Sequence, residues 1–322
     1  MTLSTATTDF VAAQRVNRRN TFLLLAILTL LAASLGYLIG WVLSFDDAAP
    51  GPWSGGGVIG AGLMAAASIG WSLISLATSD RMVLGMASAK DIDKADAPQL
   101  FNVVEEMSIA AGVPMPRVMV IETDALNAFA TGPSVQRGTI VVTRGLLKAL
   151  NRDELQGVVA HEMAHIANLD TRYMVMVGVT VGLIALVCDM ALRTLNWGGS
   201  AHNRSSSGNK KDSGGAAILI ILLLVIAILA PLAAKAVQFA VSRQREYLAD
   251  ATSVQFTRNP DGLISALQKL ADKAAPFPGV SHATQHLFIV NPVQDFTKDT
   301  PALLATHPDI EDRISRLRNL GG

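Results

Sequence analysis

One cysteine, Cys188, stands among 322 residues, and it lies inside an apolar run. A lone thiol excludes a structural disulfide within the chain and a zinc site built on cysteine thiolates. Any metal must be held by histidines and carboxylates. Charge is scarce too. Only 16% of the residues are charged, low for a soluble protein, and 26 basic residues cancel 26 acidic ones. With no basic excess, nothing points to nucleic acid as a partner.

Half of the residues are hydrophobic, and they gather in four runs. Residues 21–45 contain no charge and have about the length a bilayer requires. Residues 56–79 form a second run. Residues 173–192 form a third, broken only by Asp189, which can pair at i, i+4 with Arg193. Residues 216–234 form the fourth and most hydrophobic. The first run is too long for a signal peptide, and no A-x-A-like cleavage site follows it. The third and fourth are long for core helices of a globular protein. Four membrane spans are therefore expected, as two hairpins.

Basic residues orient them. Arg15, Arg18 and Arg19 precede the first span, the loop 46–55 has no Lys or Arg, and Arg81 and Lys90 follow the second. Lys235, Arg243 and Arg245 lie beyond the fourth. Arg204, Lys210 and Lys211 in the Gly/Ser-rich loop 196–215 disagree, but the majority puts the N-terminus and the polar segments in the cytoplasm. The sequence 55–60 fits G-x-G-x-x-G, yet no strand precedes it and a span follows. Close helix packing by small residues accounts for it better than a dinucleotide site.

The expected organisation is a polar, mobile tail at 1–20, a membrane hairpin at 21–79, a first catalytic part at 80–172, a second hairpin at 173–234, and a second catalytic part at 235–322. Residues 98–111 have helical periodicity and stop at Gly112. Residues 117–121, 127–131 and 139–143 read as strands, with Gly132, Pro133, Ser134 and Gly138 supplying a turn. Asn151 starts a helix with Glu154 as its capping-box partner. That helix is expected to run on toward the third span. Residues 242–254, 262–273 and 309–317 read as further helices.

The helix after Asn151 carries His161-Glu162-Met163-Ala164-His165, an H-E-x-x-H pentapeptide. Two histidines four apart share a helix face and can hold one Zn²⁺, with the intervening Glu162 as general base toward a water. A catalytic zinc takes three protein ligands and keeps one position open. One group of proteases adds a histidine, as H-E-x-x-H-x-x-G-x-x-H. Here Asn168 and Thr171 occupy the Gly and His positions, which excludes that group. The other group takes a Glu from a later helix. Glu246 is the candidate, with Asp250 four residues on and thus on the same face, able to accept the far N–H of a ligating histidine. An ordinary solvated charge cluster is the alternative for these two. His282 and His286 also stand four apart, but no carboxylate lies between them in the Glu position. His202 falls in the loop 196–215. If the third and fourth spans form an antiparallel hairpin of uninterrupted helices, His165 and Glu246 reach similar depths below the membrane.

The chain resembles the HtpX family of bacterial membrane-embedded zinc metalloproteases, relatives of the CAAX prenyl protease. The likeness is carried in order by residues 110–116 (A-A-G-V-P-M-P), 127–132 (N-A-F-A-T-G), the H-E-x-x-H, Ser242-Arg243 through Glu246-Tyr247 to Ala249-Asp250, residues 287–292 (L-F-I-V-N-P), and Thr306-His307-Pro308 through Arg313. It implies a mainly α membrane protein with four transmembrane helices and a cytoplasmic α+β, gluzincin-type domain containing a small β-sheet. It implies one zinc per subunit on His161, His165 and Glu246, and Glu162 in catalysis. His307 would donate to the oxyanion, and Arg313 would help set that region. Asn127, Ala128, Phe129, Ala130 and Thr131 would form a strand that pairs with substrate backbone. Polypeptide substrates follow, unfolded proteins of the bacterial inner membrane above all. A CAAX-type processing protease and a non-catalytic, zinc-stabilised membrane scaffold are the alternatives.

Overall fold

The computed structural model describes residues 10–43, 54–174, 243–272 and 308–320. Of these, residues 21–43 and 54–76 belong to one compact unit and the remainder to a second.

Among the described residues, the first unit holds most of two long helices, α1 (Phe10–Leu43) and α2 (Gly55–Met86), whose residues 10–20 and 77–86 belong to the second. Each contains a 24-residue stretch apolar enough to cross a membrane, Gln14–Tyr37 and Gly55–Thr78. Leu30, Ile59 and Leu63 are each about two-thirds exposed. Large apolar side chains bared along a whole helix suit a lipid surface rather than water. The two helices meet through glycine. A Cβ on Gly36 would land on the carbonyl oxygen of Gly60, and one on Gly40 would land on that of Gly56. Only a hydrogen fits there, which is the small-residue contact expected for residues 55–60. The expected spans at 173–192 and 216–234 lie outside the described residues, apart from positions 173 and 174. Two candidate spans are thus present among the described residues.

Residues 10–20 are helical, as the start of α1, rather than a mobile tail. They belong to the second unit. That unit is mostly helical around one small mixed sheet. Its elements are β1 (Lys90–Asp91), α3 (Pro98–Ala111), β2 (Arg117–Ile121), β3 (Ala128–Thr131), β4 (Thr139–Thr143), α4 (Arg144–Ala149), α5 (Arg152–Ala167), α6 (Arg243–Thr257), α7 (Pro260–Asp272) and α8 (Ile310–Leu320). α3 opens on Pro98 and closes on Gly112, whose φ of 65° is the left-handed conformation glycine adopts freely. The sheet order is β1-β2-β4-β3, with β2 and β4 parallel and both outer pairs antiparallel. β3 is therefore an edge. The Thr143 N–H donates to the Asn127 carbonyl at 3.0 Å, so 127 and 143 are a hydrogen-bonded pair. By alternation, the backbone groups of Ala128 and Ala130 face away from β4, where the Ala128 N–H donates to Asn127 Oδ1 at 3.0 Å.

α5 is the centre of the unit. It packs on α3, α6, α7 and β3, and thirteen of its sixteen residues are buried. Leu155, Val158, Val159, Met163 and Ile166 join Leu100, Val103, Val104, Ile140, Val142, Leu263 and Leu267 in one core. Gly157 lets the backbone of α7 approach at Leu263. A helix buried on every side must give each of its polar groups a partner, and α5 carries His161, Glu162 and His165.

Candidate metal centre

α5 starts on a capping box. The Asn151 side chain accepts from the Glu154 N–H, and the Glu154 carboxylate accepts from the Asn151 N–H. This fixes the helix phase, and the phase puts His161 and His165 one turn apart on the face toward α6 and α8. α6 brings Glu246 and Asp250 one turn apart, and α8 brings Arg313. His161, Glu162, His165, Glu246, Asp250, Asp170 and Arg313 are all buried, none more than 5% exposed.

His161 Nε2 and His165 Nε2 lie 3.2 Å apart. Glu246 offers Oε2 at 3.6 Å from His161 Nε2 and Oε1 at 3.7 Å from His165 Nε2. Donors about 2.1 Å from one tetrahedral ion stand roughly 3.4 Å from one another, so these three groups have the separation a metal needs. The other ring nitrogens are already engaged. His161 Nδ1 is 3.0 Å from Asp250 Oδ1, and His165 Nδ1 is 3.0 Å from Asp170 Oδ2. Each carboxylate accepts a hydrogen bond from the Nδ1–H, which leaves Nε2 as the nitrogen free to ligate. Among the described residues, His161, His165 and Glu246 form a buried group able to hold a metal ion.

Charge balance points the same way. Glu162, Glu246, Asp250 and Asp170 bring four negative charges into the interior, while buried Arg313 and the nearby Arg245 return two. A divalent cation fills that deficit. In the metal-free arrangement, protons on the histidines do so. Burial alone would lower His161, but hydrogen bonds to Asp250 and Glu246 overcome it and push it up to about 9. His165 is likewise raised, its burial outweighed by Asp170. A metal must displace those protons to bind.

Arg313 lies behind the ligand set, against Asp250. Its Nε donates to Asp250 Oδ2 at 2.9 Å and its Nη2 to Asp250 Oδ1 at 2.7 Å, a bidentate pair. Nη1 lies 3.7 Å from Glu246 Oε2. The guanidinium thus grips the carboxylates behind His161. Burial would raise Asp250, yet Arg313 and His161 hold it down at about 2. Glu162 shifts the other way. Burial raises it above the ordinary carboxylate range, offset in part by His161 and His165 and by a hydrogen bond from the Ala130 backbone. Glu162 therefore sits against the outer side of β3. Asn127, Ala128, Phe129, Ala130 and Thr131 are all buried there.

α5 does not run on toward the third span. It ends at Ala167. Asn168 and Leu169 form a turn, Leu169 with φ of 61°, and a new helical segment begins at Asp170. The turn returns Asp170 onto His165, a partner sequence reading missed. Its only signal was an Asp five residues after the second histidine. His202, His282, His286 and His307 lie outside the described residues.

Residues 94–320 match peptidase family M48. A relative named Protease HtpX homolog, from Listeria innocua serovar 6a, is 47% identical over 264 residues, covering 80% of this chain and 86% of its own. The Protease HtpX homolog of Caldanaerobacter subterraneus subsp. tengcongensis is 40% identical over 307 residues, covering 95% and 96%. The crystal structure of S. mikatae Ste24p aligns with a TM-score of 0.45 at 16% identity, over 97% of this chain and 66% of that one.

Proposed function

The chain belongs to peptidase family M48 and is a membrane metalloprotease; from that premise we propose that His161, His165 and Glu246 hold one zinc ion and that Glu162 is the general base of peptide hydrolysis. The observation that carries this reading is the approach of two Nε2 atoms and one carboxylate with both Nδ1 atoms tied to aspartates. Two imidazoles and a carboxylate, without thiolate, are a common ligand set of catalytic zinc. The metal supplies Lewis acidity, which lowers a water's pKa to about 7 and polarises a carbonyl.

The protein's own residues do the rest. Glu162, raised by burial, is better matched than a solvated carboxylate to accept a water proton near neutral pH and return it to the leaving amine. The outer side of β3, where the Ala128 N–H is held by Asn127 Oδ1 at 3.0 Å and the Ala130 backbone by Glu162, receives an extended substrate segment through its carbonyls. Such pairing reads backbone rather than side chains and tolerates many sequences. Asp250 and Asp170 keep the histidines in the ligating tautomer, and Arg313 holds Asp250 in place. His307 completes the site as an oxyanion donor, by likeness to the family.

The substrates are polypeptides, and their class is unfolded membrane proteins or their cytoplasmic loops, with a role in quality control at the bacterial inner membrane. The apolar helices α1 and α2 and the basic residues flanking them support that placement. The test uses the full chain in detergent with casein as substrate. Glu162→Gln is expected to retain zinc and to lose cleavage by about 10²- to 10⁴-fold. Wild-type cleavage in that variant would overturn the mechanism. Glu246→Ala is expected to lose zinc, and full occupancy there would show that another group is the third ligand.

A further inference from the structure

α1 reaches the back of the metal centre ahead of the uncharged run at 21–45. Gln14 and Asn17, three apart, share one helix face. Gln14 Nε2 donates to the Ala167 carbonyl at 2.7 Å. Asn17 Nδ2 donates both to the Asn168 carbonyl at 2.9 Å and to Asp170 Oδ1 at 2.7 Å. These contacts are internal to the second unit, and Asn17 is buried. An amide nitrogen has two hydrogens, and here each has its own acceptor. A carboxylate at this position has none to give, and a reversed amide sets oxygen against two oxygens.

Asp170 has one oxygen on Asn17 and the other on His165 Nδ1. It follows a left-handed Leu169, a conformation that costs a non-glycine residue free energy and persists only where its surroundings enforce it. The Tyr173 N–H to Leu169 carbonyl bond is long, at 3.4 Å, and Arg245 Nε stays 3.8 Å from Asp170 Oδ1. The short, directional contact on the far side of the carboxylate is the Asn17 amide.

We propose that Asn17 is a positioning residue for the metal centre: by holding Asp170, it fixes the orientation of His165, so that metal affinity depends on a side chain of the first helix. The inference rests on His165 being a ligand. Partners behind a ligating histidine typically govern metal affinity 10- to 100-fold.

The test measures Zn²⁺ affinity of the full chain in detergent by competition with a chromophoric chelator, alongside the visible spectrum of the Co²⁺-loaded protein. Asn17→Ala is expected to weaken zinc on the order of 10-fold and to alter the Co²⁺ bands. Asn17→Asp, the same size but setting carboxylate against carboxylate, is expected to weaken it more and serves if the alanine variant does not fold. Gln14→Ala, which loosens α1 without touching Asp170, keeps wild-type affinity. In an Asp170→Asn background, Asn17→Ala adds no further loss, since its route to His165 is gone. Wild-type affinity in both Asn17 variants, or equal losses in Gln14→Ala and Asn17→Ala, overturns the inference. Glu246→Ala, run in parallel, separates that failure from failure of the ligand assignment. Zinc lost there but kept in the Asn17 variants refutes only the role of Asn17. Zinc kept in Glu246→Ala refutes the ligand set itself.

Discussion

The two ends of α5 are closed in opposite ways. At its start, Asn151 and Glu154 satisfy each other's backbone N–H within four residues, and Glu154 also receives Lys269 at 2.7 Å and Ser265 at 2.6 Å from α7. At its end, the last carbonyls and Asp170 are met by Gln14 and Asn17, more than 150 residues away in sequence. The first end is built on a local box braced by α7, polar and partly wet, and it secures the fold. The second is long-range and dry, and it stands against the metal centre. One helix thus separates a stability device from a chemical one by about four turns.

That separation can be broken experimentally. The largest effect belongs to Arg313→Met, which leaves Asp250 buried without its bidentate partner. Removing one member of such a pair typically destabilises by about 3–5 kcal/mol, so this variant should show the steepest fall in melting temperature and should also lose zinc affinity. An unchanged melting curve would mean that Asp250 needs no counter-charge. A smaller effect follows from Asn151→Ala, about 1 kcal/mol for a lost N-cap, with zinc content untouched. If zinc fell with it, the two ends would be one coupled system and the contrast would be lost.

The smallest effect is a pH dependence at Glu154. Burial raises its carboxyl, but the bonds from Lys269, Ser265 and Asn151 win and hold it below its ordinary 4.5. A carboxylate depressed in the folded state adds stability that is full above the unfolded value and is lost as pH falls through the folded one. The melting advantage of the wild type over Glu154→Gln should therefore be constant from neutral pH to about 5 and shrink below 4.5. An advantage that grew on acidification would reverse the sign and refute the ion pair with Lys269.

The contrast also explains what could be read in advance. Local signals are chemical and therefore visible. The Asn151–Glu154 box, the Gly112 stop and the short β-branched apolar runs that mark β2 and β4 all stand in the sequence. Glu246 and Asp250 could be set on one helix face by counting, and the fold puts both beside His161. The end of α5 was hidden because Leu169 is a good helix former, with nothing in its type to announce a left-handed turn. Gln14 and Asn17 looked like part of a polar tail because two of their three acceptors are backbone carbonyls, which every residue carries. β1 has two residues, too few for a pattern. Arg313 could be named only by likeness, since no spacing in the sequence ties it to Asp250, 63 residues away.

The glycine contact between α1 and α2 has a mechanical consequence. Gly36 meets Gly60 and Gly40 meets Gly56, two notches spaced by one turn on antiparallel helices. Sliding one helix by a turn leaves a single pair of notches aligned, and the other glycine then faces a bulky wall. In lipid, where apolar side chains gain nothing by leaving their surroundings, such a toothed fit acts as a vernier. It admits one axial setting of the hairpin and resists creep along its length, with the Thr29 and Ser68 hydroxyls, 3.5 Å apart, as a polar addition to the same register.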